Sequence, residues 1–288
     1  MPYSKSKIKQ ELKFQAIGTQ WSITANISES LEKKISKRIE QFNKTYSRFI
    51  EDSAMRRIAS KKNEHNLPKD AQPLLDFYKS LYEISDGLVT PLIGKTMEQS
   101  GYDNNYSFRP TKLTNPPSWH DALEYEFPKL TIKQPVVLDF GAAGKGYLVD
   151  IISKLLQENG VNNFCVNAGG DMFIYGESQT VGLENPNDFK EVIGTINIKN
   201  SAICSSAGNR RQWANFHHTI NPRTLQSPKN IHAIWVKAKT AMLADGLATA
   251  LYFVEPAKLN QHFEFEYAMI VGEDLLFSKN FKANFFKA

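Results

Sequence analysis

Apolar residues recur every third or fourth position from Leu31 to Tyr46, with Leu31, Ile35, Ile39 and Phe42 on one face. This spacing predicts an amphipathic helix. The same period predicts a second helix over Pro73–Ser85, stopped at Asp86-Gly87, and a third over Lys145–Asn159. In the third, Leu148, Ile151, Ile152, Leu155 and Leu156 share a face, and Gly160 is placed to end the helix. A fourth helical run, Thr240–Val254, has an apolar face of Leu243, Leu247, Leu251 and Val254. Short apolar runs of strand length fall at Phe14–Ile27 (around Gly18-Thr19), Pro135–Phe140, Val161–Asn167, Val192–Ile198, Ile231–Lys237 and Tyr267–Val271. Strands outnumber helices and do not alternate regularly with them, which predicts an α+β fold rather than a doubly wound sheet. Residues 102–120, rich in Asn, Pro and Ser, read as a long surface loop, and loops of that length usually carry function.

At 288 residues the chain can bury a large core. The pattern suggests an N-terminal tail over positions 1–13 and a single domain over 14–288. Lysines gather at Lys5, Lys7, Lys9 and Lys13 and again at Lys33, Lys34 and Lys37, but the net charge is only +5. That balance describes a solvated face rather than a nucleic-acid binder. Two cysteines, Cys165 and Cys204, each inside an apolar run, suit buried reduced thiols, not a disulfide scaffold or a zinc site. No run approaches a membrane span, and the polar, basic start lacks the apolar stretch of a secretory leader. The expectation is therefore a cytoplasmic protein, or a periplasmic one had a leader been removed.

Three places carry chemistry. At Asp139-Phe-Gly-Ala-Ala-Gly-Lys145-Gly146 a predicted strand ends in a carboxylate, and a glycine-rich turn opens a helix beside a lysine. Free N–H groups and the helix dipole could cradle a phosphate there. A plain packing turn fits equally well, since the spacing matches neither the P-loop nor GxGxxG. The helix TAMLADGLATALYFV holds a lone charge, Asp245, with Thr249 one turn along. Buried there, Asp245 must be protonated, meet a distant basic residue or bind a metal, and a carboxylate with a hydroxyl suits Mg²⁺. The third place is Ser205–Arg211 followed by His217-His218-Thr-Ile-Asn221-Pro222-Arg223-Thr224. It pairs serines with histidines but contains no GxSxG elbow.

Taken in order, these pieces resemble the ApbE family of FAD:protein FMN transferases. The resemblance rests on Ala16-Ile17-Gly18-Thr19, Tyr46–Ser53, Ser85-Asp86-Gly87, LDFGAAGKGYLVD (Leu138–Asp150), VNAGGD (Val166–Asp171), Ser206-Ala207, His218-Thr-Ile-Asn-Pro222, and Ala244-Asp245 with Thr249. It spans about residues 14–271. It implies a fold of mixed and antiparallel sheets packed against helices. It also implies a Mg²⁺ held by Asp245, Thr249 and the Ala142 carbonyl. The FAD site would be lined by Ile17, Phe49, Leu88, Val89, Thr90, Asp139, Lys145, Asp171, Ser206 and Ile220. The chain departs from the family pattern at Val89-Thr90 (Phe-Asp), Ala207 (Gly), Asn221 (Asp), Leu225 (Gly) and Ala248, where some relatives carry Asp.

The activity so implied is cleavage of FAD, with FMN attached by a phosphoester bond to a Thr or Ser of an acceptor flavoprotein and AMP released. Lys145 would hold a phosphate oxygen, Asp245 the metal, and His218, titrating near neutral pH, would accept the hydroxyl proton. Two alternatives stay open: an FAD pyrophosphatase that uses water as acceptor, and a non-catalytic flavin-binding protein.

Overall fold

In the computed structural model the described residues are 10–286, so Lys5, Lys7 and Lys9 lie outside them. Strands β1 (Gln10–Ala16) and β2 (Thr19–Ala25) form a hairpin, followed by helices α1 (Glu29–Tyr46) and α2 (Ala54–Ala59). Next come β3 (Asn63–Asn66), α3 (Gln72–Ile84), α4 (Gly94–Gln99), α5 (Trp119–Ala122), β4 (Leu123–Glu126) and β5 (Lys129–Ile132). Helix α6 (Gly144–Glu158) leads into β6 (Phe164–Ala168), β7 (Asp171–Tyr175), β8 (Gln179–Glu184), β9 (Val192–Ile198) and β10 (Ser201–Ser206). The chain continues through the short pair β11 (Gln212–Trp213) and β12 (Phe216–His217), β13 (Ile231–Ala238) and α7 (Ala241–Ala250). It ends with α8 (Pro256–Leu259), β14 (Phe265–Val271), β15 (Asp274–Phe277) and β16 (Ala283–Phe285).

Eight strands form one antiparallel sheet in the order β1-β2-β6-β7-β10-β13-β14-β15. Alternation along its central strands shows why it needs two cover layers. Val166, Ala202, Cys204, Ile234 and Val236 face the helices, where they join Leu148, Ile152 and Leu156 of α6 and Leu247 of α7 in the main core. Cys165, Ile203, Ala233 and Trp235 point the other way, into a smaller core closed by Leu183, Ile196 and Ile198 of the β16-β9-β8 sheet. Both cysteines are buried. The α+β class is as the pattern predicts, and the antiparallel sheets packed on helices are as the resemblance implies. Among the described residues no helix is long and apolar enough to cross a membrane.

Several expectations shift. The run Phe14–Ile27 is the β1–β2 hairpin, turning at Ile17-Gly18, and β1 claims residues 10–13 that read as tail. Pro135–Phe140 makes no strand, and only Leu138 and Phe140 of it are buried. Its backbone takes isolated hydrogen bonds, Val136 N to Ala59 O and Asp139 N to Pro91 O, rather than a ladder. Helix α7 stops at Ala250 and continues only as turns to Val254. The third predicted helix and the strands at 192–198 and 231–237 fall where periodicity placed them.

Candidate active site

The floor of the site is the junction of α6 with α7. Asp150 of α6 accepts hydrogen bonds from Ala241 N (2.7 Å) and Met242 N (2.8 Å), capping the start of α7. Burial pushes that carboxyl up to about 6. One turn earlier Gly146 lies so close to α7 that a Cβ would fall 2.1 Å from Ala241 O and 2.8 Å from Asp245 Cβ. Only glycine allows this approach, and it lets Gly146 N donate to Asp245 Oδ2 at 2.9 Å. Lys145 Nζ then bridges two buried carboxylates, Asp171 Oδ2 at 3.0 Å and Asp245 Oδ1 at 3.1 Å. Of the outcomes open to Asp245, the structure therefore shows a basic partner distant in sequence, Lys145 of helix α6. Burial and the Asp171 carboxylate push the Asp245 carboxyl well above the ordinary range, with Lys145 acting in the opposite direction. Burial works against the Lys145 ammonium, but the two aspartates outweigh it and hold its pKa above the ordinary lysine value.

Thr249, one turn beyond Asp245, places its hydroxyl 3.4 Å from the Ala142 carbonyl. Ala142 O and the Thr249 hydroxyl thus meet at one end of the floor, with Asp245 one turn before Thr249 on the same helix. Among the described residues no three His, Cys, Asp or Glu side chains cluster to hold a metal. This set is instead one carboxylate, one hydroxyl and one main-chain carbonyl. All are hard oxygens, a set that fits Mg²⁺ completed by phosphate and water. The Lys145 ammonium already shows that the pocket between Asp171 and Asp245 accepts positive charge.

The glycine turn does not offer the free amides expected of a phosphate cradle. Gly141 N donates to Asp139 Oδ1 (2.6 Å) and Gly144 N to Phe140 O (2.7 Å). Ala142 N and Ala143 N both donate to the buried Tyr78 hydroxyl, at 3.1 and 3.3 Å. With these N–H groups engaged internally, an anion here meets side chains, not a nest of amides.

Above the floor opens a cleft of about 300 Å³. Ile17, Phe49, Leu88, Val89, Thr90, Asp139, Ala142, Lys145, His218, Ile220 and Thr249 all line it, which brings most of the residues singled out from sequence onto one surface. Ser85 Oγ accepts from Val89 N (2.9 Å), so the Ser85-Asp86-Gly87 turn sets Leu88–Thr90 against the cleft. Asp171, Asp245 and Ser206 are not on its wall. The two aspartates stand behind Lys145, and Ser206 Oγ stands behind His218, 3.2 Å from Nε2.

His218 is half-buried, and its Nδ1, itself buried, has no hydrogen-bond partner among the described residues. Burial, reinforced by His217, Arg211 and Lys145, pushes it down to about 3. The near-neutral titration expected from sequence is thus overturned, because the imidazolium would be desolvated among cations.

Arg48, Tyr102, Tyr106 and Arg211 are among the cleft residues that the sequence reading did not assign to the site. Arg48 donates from Nε to Asp139 Oδ2. Arg211 ties the cleft rim together, reaching Tyr102 Oη (3.0 Å) and Gly18 O (3.2 Å). Tyr106 stacks on Phe49 with ring centroids 5.3 Å apart and planes 9° from parallel. Tyr106 and Phe108 both sit in the left-handed region (φ 48° and 49°), a conformation that costs roughly 1–2 kcal/mol for a non-glycine residue. The only sequence signal for the two tyrosines was the anomalous length of loop 102–120.

The departures have local explanations. Ala207 is extended (φ −139°), so nothing there requires glycine. Asn221 Oδ1 accepts from Arg223 N (2.8 Å) and Thr224 N (3.1 Å), holding the turn as an aspartate would. Leu225 adopts φ 58°, a strained position that glycine takes freely.

The ApbE family model matches residues 17–270. The FAD:protein FMN transferase of Haemophilus influenzae is 26% identical over 260 residues, covering 80% of this chain and 74% of its own length. Among solved structures, the ApbE protein from Thermotoga maritima superposes with a TM-score of 0.83 at 21% identity, over 95% of this chain and 98% of its own. The flavin transferase ApbE from Vibrio cholerae gives 0.79 at 21% identity, with the same coverage. At that identity the structural likeness establishes the fold.

Proposed function

This chain belongs to the ApbE family, and from that membership we propose that it is a Mg²⁺-dependent FAD:protein FMN transferase. The observation that carries the reading is the convergence at one end of an aromatic-walled cleft. Lys145, paired to Asp171 and Asp245, stands beside the Thr249 hydroxyl and the Ala142 carbonyl. A dinucleotide needs both parts: planar walls for its heterocycles and concentrated positive charge for its bridging phosphates.

Asp245, Thr249 and Ala142 O would hold Mg²⁺, which when bound neutralises pyrophosphate charge and eases departure of AMP. Lys145 presents its ammonium to a phosphate oxygen from a fixed position, since two carboxylates and the α6–α7 packing hold it. A Ser or Thr hydroxyl of the acceptor flavoprotein attacks the phosphorus on the riboflavin side. The bond from that phosphorus to the bridging oxygen breaks, and AMP leaves with that oxygen. His218 is neutral at pH 7, and its unpaired Nδ1 can accept the hydroxyl proton. A bound pyrophosphate raises its basicity by opposing the surrounding cations. Most of the barrier reduction comes from positioning and charge neutralisation.

The test is to incubate the chain with FAD, Mg²⁺ and a candidate acceptor, and to measure AMP and acceptor-bound flavin fluorescence surviving SDS. Asp245→Ala and EDTA should each abolish both. Undiminished transfer in either case sinks the metal assignment. AMP and free FMN formed without acceptor would identify water as the acceptor, and tight flavin binding with no AMP would identify a binding protein.

A further inference from the structure

Arg48 is almost wholly buried, its side chain 3% exposed, yet it lines the cleft. Its Nε is engaged with Asp139, but neither Nη1 nor Nη2 has a hydrogen-bond partner among the described residues. What covers the guanidinium is aromatic, with Cζ 4.1 Å from the centroid of Phe49 and 5.2 Å from that of Tyr102. Ring faces attract the charge but accept no hydrogen bond from the forked Nη groups. A buried donor pair without an acceptor is unfavourable and calls for an explanation in the molecule's function. The residue is not loosely placed either. Its carbonyl accepts from Arg56 Nη1 (2.5 Å), and Arg56 is in turn paired to Glu98 (2.9 Å).

Beside it, the Tyr106 ring lies parallel on Phe49, in the arrangement a planar heterocycle would adopt. Tyr106 is two-fifths exposed, in a loop whose backbone is strained at that residue and again at Phe108. The loop is tied by the Asp103 side chain, which accepts from Asn105 N, Ser107 N and Ser107 Oγ, and by Phe108 N donating to Gly101 O (2.8 Å) and Thr111 N to Gln99 O (2.8 Å). An outward swing of the tyrosine gives up its ring contacts with Phe49, Tyr102 and Phe108, which a heterocycle stacked on Phe49 would replace in part.

We infer that Arg48 is a substrate-binding residue. Its two free Nη groups take the acceptor-bearing edge of a planar heterocycle that stacks on Phe49 in place of Tyr106. The inference rests on the reading of FAD as substrate. Either end of FAD has the required chemistry: isoalloxazine carries carbonyl oxygens and ring nitrogens on one edge, and adenine carries ring nitrogens. The parallel stack explains the choice of aromatic neighbours, and the orphaned donors explain why an arginine is buried among them. Arginine presents a flat fork; lysine presents a single point charge.

The experiment titrates the full chain with FAD, FMN and AMP, following flavin fluorescence and, for AMP, displacement of FAD. Melting temperatures are recorded alongside. Arg48→Lys keeps a cation beside Asp139 but loses the fork, and its FAD affinity is expected to fall about tenfold or more. The loss should be confined to one half-ligand, FMN or AMP, which identifies the heterocycle. Tyr106→Ala vacates the place on Phe49 and is expected to bind FAD no less tightly, with faster association. Wild-type affinity in Arg48→Lys overturns the subsite, as does an equal loss for both halves tracking a lowered melting temperature. Should Arg48→Lys fail to fold, Tyr106→Ala still decides, because weakened FAD binding there contradicts the place-holder role. A wild-type chain that binds no FAD overturns the substrate reading and the subsite together, an outcome separate from the others.

Discussion

Replacing Gly146 with alanine tests the α6–α7 junction directly. The added methyl would start 2.1 Å from Ala241 O, whereas ordinary van der Waals contact begins at 3.4 Å. Main chain stands on both sides, so the helices must part by about 1 Å, and overpacking of this kind costs roughly 1–3 kcal/mol. At roughly 2–4 °C of melting temperature per kcal/mol for a chain somewhat smaller than this one, the fold should survive the change. Catalysis should suffer far more. The same displacement moves Lys145 and the Gly146 amide away from Asp245, and misplacement by ~1 Å in a reacting site can cost about 10²-fold. The assay is acceptor-bound flavin formed per minute, with thermal melts on the same preparation. A variant with near-wild-type turnover would show that the close approach of the helices does not set the chemistry. A loss of turnover fully explained by a fraction unfolded would refute the reasoning equally.

Three further outcomes follow from the geometry. Tyr78→Phe removes the hydroxyl that serves Ala142 N and Ala143 N, so stability should fall by ~1–3 kcal/mol in denaturant titration; an unchanged midpoint would mean that those amides find other partners. Leu225→Gly should raise stability by about 1 kcal/mol, because it relieves a left-handed leucine, and a lowered melting temperature would contradict the strain. The third concerns pH. His218 stays neutral in the folded chain down to about 3 but takes a proton near the ordinary histidine value of 6.5 when unfolded, so its contribution is complete above 6.5 and is lost as pH falls toward 3. Melts from pH 7 to 5 should therefore lose stability more steeply in wild type than in His218→Gln, and parallel slopes would remove the argument.

How far the chain could be read depended on whether a feature is local. Helices α1, α3 and α6 announce themselves because one face of each is buried in the main core, and a 3.6-residue period survives in the sequence. The segment 135–140 has strand composition yet pairs with no strand, since its partners are Ala59, at the end of helix α2, and Pro91, in a single helical turn, neither of which offers a ladder. Strands β7, β8 and β10 were not read as strands, although Ile174 and Ile203 are buried, because turns and polar positions interrupt the alternation. In the site, Asp245, Thr249 and Lys145 stood out by type and spacing, but the Lys145–Asp171–Asp245 bridge joins three separate elements. Arg48 carried no signal of its own, since a single basic residue ahead of Phe49 looks like any surface arginine. Its burial against Asp139 is a product of folding.

The clamp of α7 by Asp150, Gly146 and Lys145 has a consequence for how the cleft can work. One side of it is effectively a single solid piece, locked by a helix cap, a backbone contact and an ion bridge. The opposite side is a half-exposed loop held by the Asp103 turn and by scattered hydrogen bonds to Gln99 and Gly101. Such a site works like a vice with one fixed jaw: the phosphates are registered against the immovable side, and differences in the size or approach of what enters are taken up by the other.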